Sequence, residues 1–214
     1  VLRFAHLKRT DGKKFIEQEI FRLAGIFSPI NTDGKMGLSR VNEALSEASS
    51  VMTLTRNHII KHDQLRHKTK DVINQYSIKY QWDGDTYLRE LLFTDADSIT
   101  RNGTARTKEM AFKGLHNSIH TTQTIANLIN SHLNRYRNPP QELKITINPY
   151  LDFIEANDLV RVSISNLQDF SLWSNLDRTF EVQQRSVNWL TGDVKLKLFG
   201  ATGFASDPVY EPDI

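Results

Sequence analysis

Apolar and polar positions alternate most clearly in the last third of the chain. Leu143, Ile145 and Ile147 alternate with Lys144, Thr146 and Asn148; Val160, Val162 and Ile164 alternate with Leu159, Arg161 and Ser163; Val194, Leu196 and Leu198 alternate with Lys195 and Lys197. A period of two puts one row on a buried face and the other toward solvent, so these stretches predict half-buried strands. Thr191-Gly192-Asp193 between the last of them and Phe180–Leu190 predicts a tight turn, with the glycine supplying a positive φ.

A period near 3.6 marks two helices. Asp11 can cap the first, which runs to about Phe27 with Phe15, Ile16, Ile20, Leu23 and Ala24 along one face; Gly25 is a weak stop and Pro29 a firmer one. The second runs from about Thr121 to Arg137, where Ile125, Leu128, Ile129, His132, Leu133 and Tyr136 hold one stripe. Asn138-Pro139-Pro140 ends it. Ile26–Ile30 and Lys35–Val41 around Asn31-Thr32-Asp33-Gly34 predict a hairpin. Tyr76, Ile78, Tyr80 and Trp82, turned by Asp83-Gly84-Asp85 into Tyr87–Phe93, predict another with aromatic side chains on one face. Residues 42–71 are mixed. Glu43–Ala48 is too short to predict a helix, and Val51–Leu54 predicts a short strand. Asp95–Gly103 reads as a polar loop and Thr104–Lys113 as a further strand.

This order predicts an α+β chain, mostly antiparallel β in a tube-like barrel or sandwich, with two main helices, one of them packed across the carboxyl-terminal strands. The expected divisions are a helix-plus-hairpin subdomain over 1–70, an antiparallel β-domain over 71–200 with its helix near 121–137, and a linker or tail over 201–214. The chain opens on Val1 and closes in the proline-bearing stretch Ser206–Ile214, as expected of a portion of a longer polypeptide.

Composition narrows the chemistry. There is no cysteine, which removes disulfides and thiolate metal sites. The 27 basic and 25 acidic residues leave +2, far from the field of a generic nucleic-acid binder. No apolar run reaches the roughly 20 residues that cross a bilayer.

The side chains that could carry chemistry each have a plainer explanation. His116 and His120 have i, i+4 spacing, but the glutamate that would act as general base is absent after the first histidine. His58, His62 and His67 would converge only on a helix, beside Arg66, Lys68 and Lys70, so a solvated charged face accounts for them. His132 lies in the helix stripe and reads as a hydrogen-bonded core residue. Asp83/Asp85 and Asp95/Asp97 lack the continuation of a calcium loop, which leaves turn formation. Tyr76, Tyr80, Trp82 and Tyr87 could stack on sugars or bases, though a sheet face explains them as well. Arg135, Arg137 and Lys144 form a modest basic cluster of the kind that is usually solvated. There is no nucleophile elbow, P-loop or dinucleotide fingerprint. No catalytic, cofactor-binding or metal residue is assigned, no cofactor is expected, and the chain reads as non-enzymatic.

The succession of stretches carries more than any single motif. Phe15–Ile20, Asp33–Leu38, Asn74–Tyr80, Asp97-Ser98-Ile99 with Asn102-Gly103, then Leu133–Tyr136, Pro139-Pro140, Leu143–Ile147, Ala156–Val162, Phe180–Val182 and Leu196–Leu198 together resemble phage tail hub and tail-tip proteins. In such hubs the turn before the valine-rich strand commonly reads Gly-Asp. Asn157-Asp158 departs from that, tolerably, because asparagine accepts a left-handed turn. The resemblance implies a virion protein, assembled in the host cytoplasm, whose copies form a ring, usually a trimer, that closes the tail tube and joins it to tip or fibre proteins. Tape-measure protein and DNA would pass through it only in transit. The alternative is a virion module that binds a host glycan or receptor through the Tyr76–Tyr87 face or the Asp95–Gly103 loop.

Overall fold

In a computed structural model, residues 11–30, 34–42, 45, 49–169 and 174–201 are described. The fold is mixed α+β with strand outweighing helix, as the periodicities predict. Asp11 caps the first helix, α1, by accepting from the amides of Lys13 and Lys14. The helix runs through Gly12–Phe15, a wider π-helical stretch Ile16–Phe21 and Arg22–Ala24. Gly25 ends it with a left-handed φ of 62°. The stop expected to be weak is therefore the effective one, and Ile26–Phe27 belongs to strand β1. That strand pairs antiparallel with β2, Ser39–Arg40, and the Ile30↔Met36 bridge keeps the same register, as expected of the first hairpin. The turn residues Asn31–Asp33, most of Glu43–Ala48 and the stretch Ser206–Ile214 lie outside the described residues.

The largest sheet takes strands from two separated parts of the chain. Ser50–Leu54 (β3), Ile59–His62 (β4) and Arg66–His67 (β5) join Gln141–Ile147 (β9), Leu159–Asp169 (β10), Ser174–Val187 (β11) and Val194–Gly200 (β12). The order is β3-β10-β11-β12-β9-β4, with β5 also on β9. Every predicted apolar row of β9, β10 and β12 is buried in one cluster with Leu54, Leu176, Phe180 and Val182. Register slips between β3 and β10, β10 and β11, β11 and β12, and β4 and β9. Extra residues bend a strand and increase local twist, which curls this sheet into a half-barrel. Gly200 is required there, since a Cβ would lie 2.8 Å from the Phe180 ring.

Residues between β5 and β9 make a second layer. Gln75–Trp82 (β6) lies between Tyr87–Thr94 (β7) and Thr107–Phe112 (β8), without a register slip. The β6–β8 and β3–β10 pairings are parallel, a departure from an otherwise antiparallel expectation. Asp95–Gly103 is not a loop. Ala96–Asn102 forms helix α2, capped by the Asp95 carboxylate 2.8 Å from the Ser98 amide. The long helix α3, Ile119–Tyr136, buries Ile125, Leu128, Ile129 and Leu133 against Tyr76, Ile78, Tyr80, Phe93, Met110 and Phe112. Its apolar stripe thus packs on β6–β8, not on the carboxyl-terminal strands. The stripe announces a buried face without saying which sheet buries it. Each of these side chains adds roughly 1.5–3 kcal/mol of burial.

Candidate functional site

The sequence-predicted chemistry is dispersed. His116 precedes α3 while His120 is in its first turn, so the two imidazoles do not share a helical face. His58 accepts from the Thr55 amide at 3.1 Å, His62 is in β4 and His67 in β5; these are a turn and two strands where convergence needed a helix. Asp83 accepts from the amides of Asp85 and Thr86, both at 2.8 Å, and those backbone donors, Thr86 first, hold its carboxyl below the usual range. It builds a turn, as expected. Tyr76 and Tyr80 are buried in the second core, leaving Trp82 and Tyr87 as a tilted ring pair 4.7 Å apart with the Lys113 ammonium 4.6 Å over Trp82. A four-ring platform does not form. His132 lies between the rings of Tyr76 and Tyr136, but its Nδ1 is buried without a hydrogen-bond partner, contrary to the expectation of a bonded histidine. Among the described residues no helix is long and apolar enough to cross a membrane.

The basic cluster turns out to be internal. Arg135 is 7% exposed and bidentate to Glu181, with both N···O distances 2.8 Å. Arg137 faces Asp95 at 3.7 Å, and the Ser98 hydroxyl donates to the Arg137 carbonyl. Lys144 alone is exposed. Around Arg135 and Glu181 the chain converges from four places. Arg135 donates to the Asn42 carbonyl at 3.0 Å; the Asn42 amide donates to Glu181 at 3.0 Å and to the Asn157 carbonyl at 3.0 Å; the Asn157 amide donates to Ser39 and to the Arg40 carbonyl. Asn157 holds a φ of 78°, the left-handed turn expected of it. The Arg135 guanidinium also lies 4.6 Å over the Phe199 ring. This polar junction fastens α3 and its sheet to β11, β12 and the β2 segment. Sequence reasoning missed it because its members are 42, 135, 157 and 181, with no local pattern. The one available signal was an asparagine before an aspartate at a turn.

Exposed large apolar side chains gather at two places on the surface. Trp189 and Leu190, 88% and 97% exposed, tip the β11–β12 hairpin. Arg185 donates to the Asp152 carbonyl and Gly192 packs near Pro149, which puts the exposed Tyr150 and Phe153 at the same end of the half-barrel. The β7 edge presents Leu88 and Leu92 on either side of Glu90. Exposed aromatics and open strand edges are features of surfaces that meet other chains.

No family model matches the chain, and no curated protein does. Solved structures do. A tail protein from Neisseria meningitidis MC58 superposes with a TM-score of 0.56 at 14% identity over 93% of this chain, and a chain of the virion of a native gene transfer agent particle with 0.52 at 12% identity, also over 93%. The chain shares the fold of that tail protein. Of those two neighbours the tail-protein fold seen here spans 57% and 43% of the length. Within it, the half-barrel and the α3-backed sheet meet at the Arg135–Glu181 junction.

Proposed function

We propose that this chain is a structural, non-enzymatic component of a phage tail, acting at its hub or tip. The observation that carries the reading is the fold, shared over 93% of the chain with a tail protein. Copies assemble into a ring, a trimer, that closes the tail tube and joins it to tip or fibre proteins, while tape-measure protein and DNA pass through the opening. The chain belongs to the virion after assembly in the host cytoplasm. Support comes from the surface: among the described residues β7 and β3 lie at sheet edges and the Trp189–Leu190 tip is apolar, so lateral and axial contacts both have material to work with. Near-neutral net charge suits a channel wall, because phosphates are retained by concentrated basic surfaces through counterion release.

Light scattering on the full-length protein, alone and mixed with its tail partners, tests this. A closed ring, or a monomer recruited into one by tail proteins, is the expected result. A protein that stays monomeric in the presence of tail proteins yet is held on a host-glycan column overturns it in favour of receptor binding.

A further inference from the structure

One end of the half-barrel is stratified. At its extremity, in the turn between β11 and β12, stand Trp189 and Leu190, the most exposed large apolar side chains among the described residues. Tyr150 and Phe153, also exposed, stand on the turn beside it, which Gly192 meets at Pro149 and Arg185 binds at the Asp152 carbonyl. Single exposed apolar residues are ordinary, whereas four on two adjoining turns mark a surface that meets something.

Behind the tip the chain changes character. The pairs Asn188–Asp193 and Val187–Val194 separate the apolar turn from a row that runs Ser186, Lys195, Thr146, Lys61 across β11, β12, β9 and β4. At about 3.3 Å per residue that row lies roughly 10 Å behind the tip. One step further on the same face, Lys197 stands directly opposite Lys144. The four lysines line a hollow of about 650 Å³ together with Asp63 and Asp193. The Thr191 hydroxyl lies 2.9 Å from the Asp193 carboxylate and Glu142 holds Lys197 at 3.2 Å, whereas among the described residues Lys61, Lys144 and Lys195 form no ion pair. Arg56, exposed on the turn that leads into β4, adds a further cation at this end. Like charges facing each other across a ladder cost stability. Since Glu142 answers only one of the facing lysines, the hollow suits an anion from outside, and the Thr146 and Ser186 hydroxyls beside it are groups that contact phosphate oxygens.

An acidic protein segment would satisfy the lysines and leave the tip in water. A bilayer answers both layers, because it presents acyl chains and then phosphates in the same order, and interfacial segments bury about 5–10 Å of their depth. We propose that this end of the half-barrel docks on an anionic bilayer surface, with Trp189, Leu190, Tyr150 and Phe153 at the boundary between headgroups and acyl chains and lipid phosphates in the hollow at Lys61, Lys144 and Lys195. The contact is independent of the tail role, and its failure leaves ring formation untouched.

The full chain is sedimented with vesicles of phosphatidylcholine mixed with phosphatidylglycerol, and with vesicles of phosphatidylcholine alone. It should pellet with the mixed vesicles and be held about tenfold more weakly, or worse, by the neutral ones. Trp189→Ser with Leu190→Ser should weaken binding to the mixed vesicles by about tenfold or more, and Lys144→Gln with Lys195→Gln by about thirtyfold. All four side chains are exposed, so both variants should keep the parent's thermal transition. Brominated acyl chains should quench the parent's tryptophan emission, and Trp189→Phe should still bind while losing that quenching. No binding to mixed vesicles, equal binding to both kinds, a tip variant as tight as the parent, or quenching undiminished in Trp189→Phe would each overturn the proposal. Failure to bind vesicles together with self-association that Trp189→Ser abolishes would assign the tip to a second copy instead.

Discussion

The half-barrel and the helix-backed sheet solve the same problem with different means. The half-barrel core is aliphatic, Phe180 its one ring among the buried cluster, and its curvature comes from slipped registers. The second sheet keeps register, stays open on one face, and closes the other with α3 over Tyr76, Tyr80, Phe93 and Phe112. Its core also contains polar atoms with no partner, Tyr76 Oη and His132 Nδ1, whereas the half-barrel strands bury Gln141 and Asp169, with Arg178 donating to Gln141 at 3.1 Å and lying 2.8 Å from Asp169. A core of branched aliphatics on a curled sheet keeps its buried charge paired. One built of rings and a histidine is sensitive to protons and to what lies beside the helix.

The largest expected effect comes from putting a charge into the second core. Leu133 is fully buried, so Leu133→Asp should abolish soluble folding. A normal thermal transition for that variant would show that the α3 stripe is not a core. Phe180→Ala is the matching lesion in the half-barrel and should cost about 3–5 kcal/mol in urea unfolding. Hydrogen exchange then sharpens the comparison: if the junction couples the two layers, both lose protection together.

Breaking the junction itself comes next. Arg135→Ala strands the Glu181 carboxylate in a buried place, for which about 3–5 kcal/mol is typical. Arg135→Met with Glu181→Leu should recover most of that loss, since a well-packed apolar pair often replaces a buried ion pair without cost. A double variant no better than the single would mean that Asn42 and Asn157, not the charges, hold the two layers.

Acid should find the second core first. The His132 imidazole titrates near 4 in the folded protein, below its ordinary value, because burial and then the cations Lys108, Arg135 and Arg22 oppose its charge. The unfolded chain therefore takes up that proton at higher pH than the folded one does. Stability is retained above about pH 6.5 and falls as pH drops toward 4, by roughly 2–3 kcal/mol from this group. His132→Phe should flatten that limb of the urea midpoint against pH, whereas an unchanged slope would assign the acid sensitivity elsewhere. The smallest effect is local: Gly25→Ala must hold a left-handed φ and should cost about 1–2 kcal/mol, with fraying confined to α1 in exchange measurements.

Legibility in the sequence follows the range of the interactions. Strands β9, β10 and β12, both predicted hairpins, the Asp11 cap and the Gly192 turn depend on neighbours within a dozen residues, and each was readable from alternation or turn chemistry. Helix α2 was not read, because its seven residues carry no apolar stripe; its Asp95 cap and left-handed Gly103 end are local signals, and Ser98 adds a distant contact to Arg137. The sheet that α3 covers, the parallel pairing of β3 with β10, and the burial of Arg135 and Arg137 all rest on contacts across tens of residues. A guanidinium facing a carboxylate 46 positions away looks, in sequence, the same as one facing water.

Imaging the intact particle with this chain labelled tests the central claim most directly. Density for the label at the distal end of the tail, repeated around its axis, is the result expected of a hub or tip component. Label on the capsid, along the fibres alone, or absent from particles that remain infectious would contradict it.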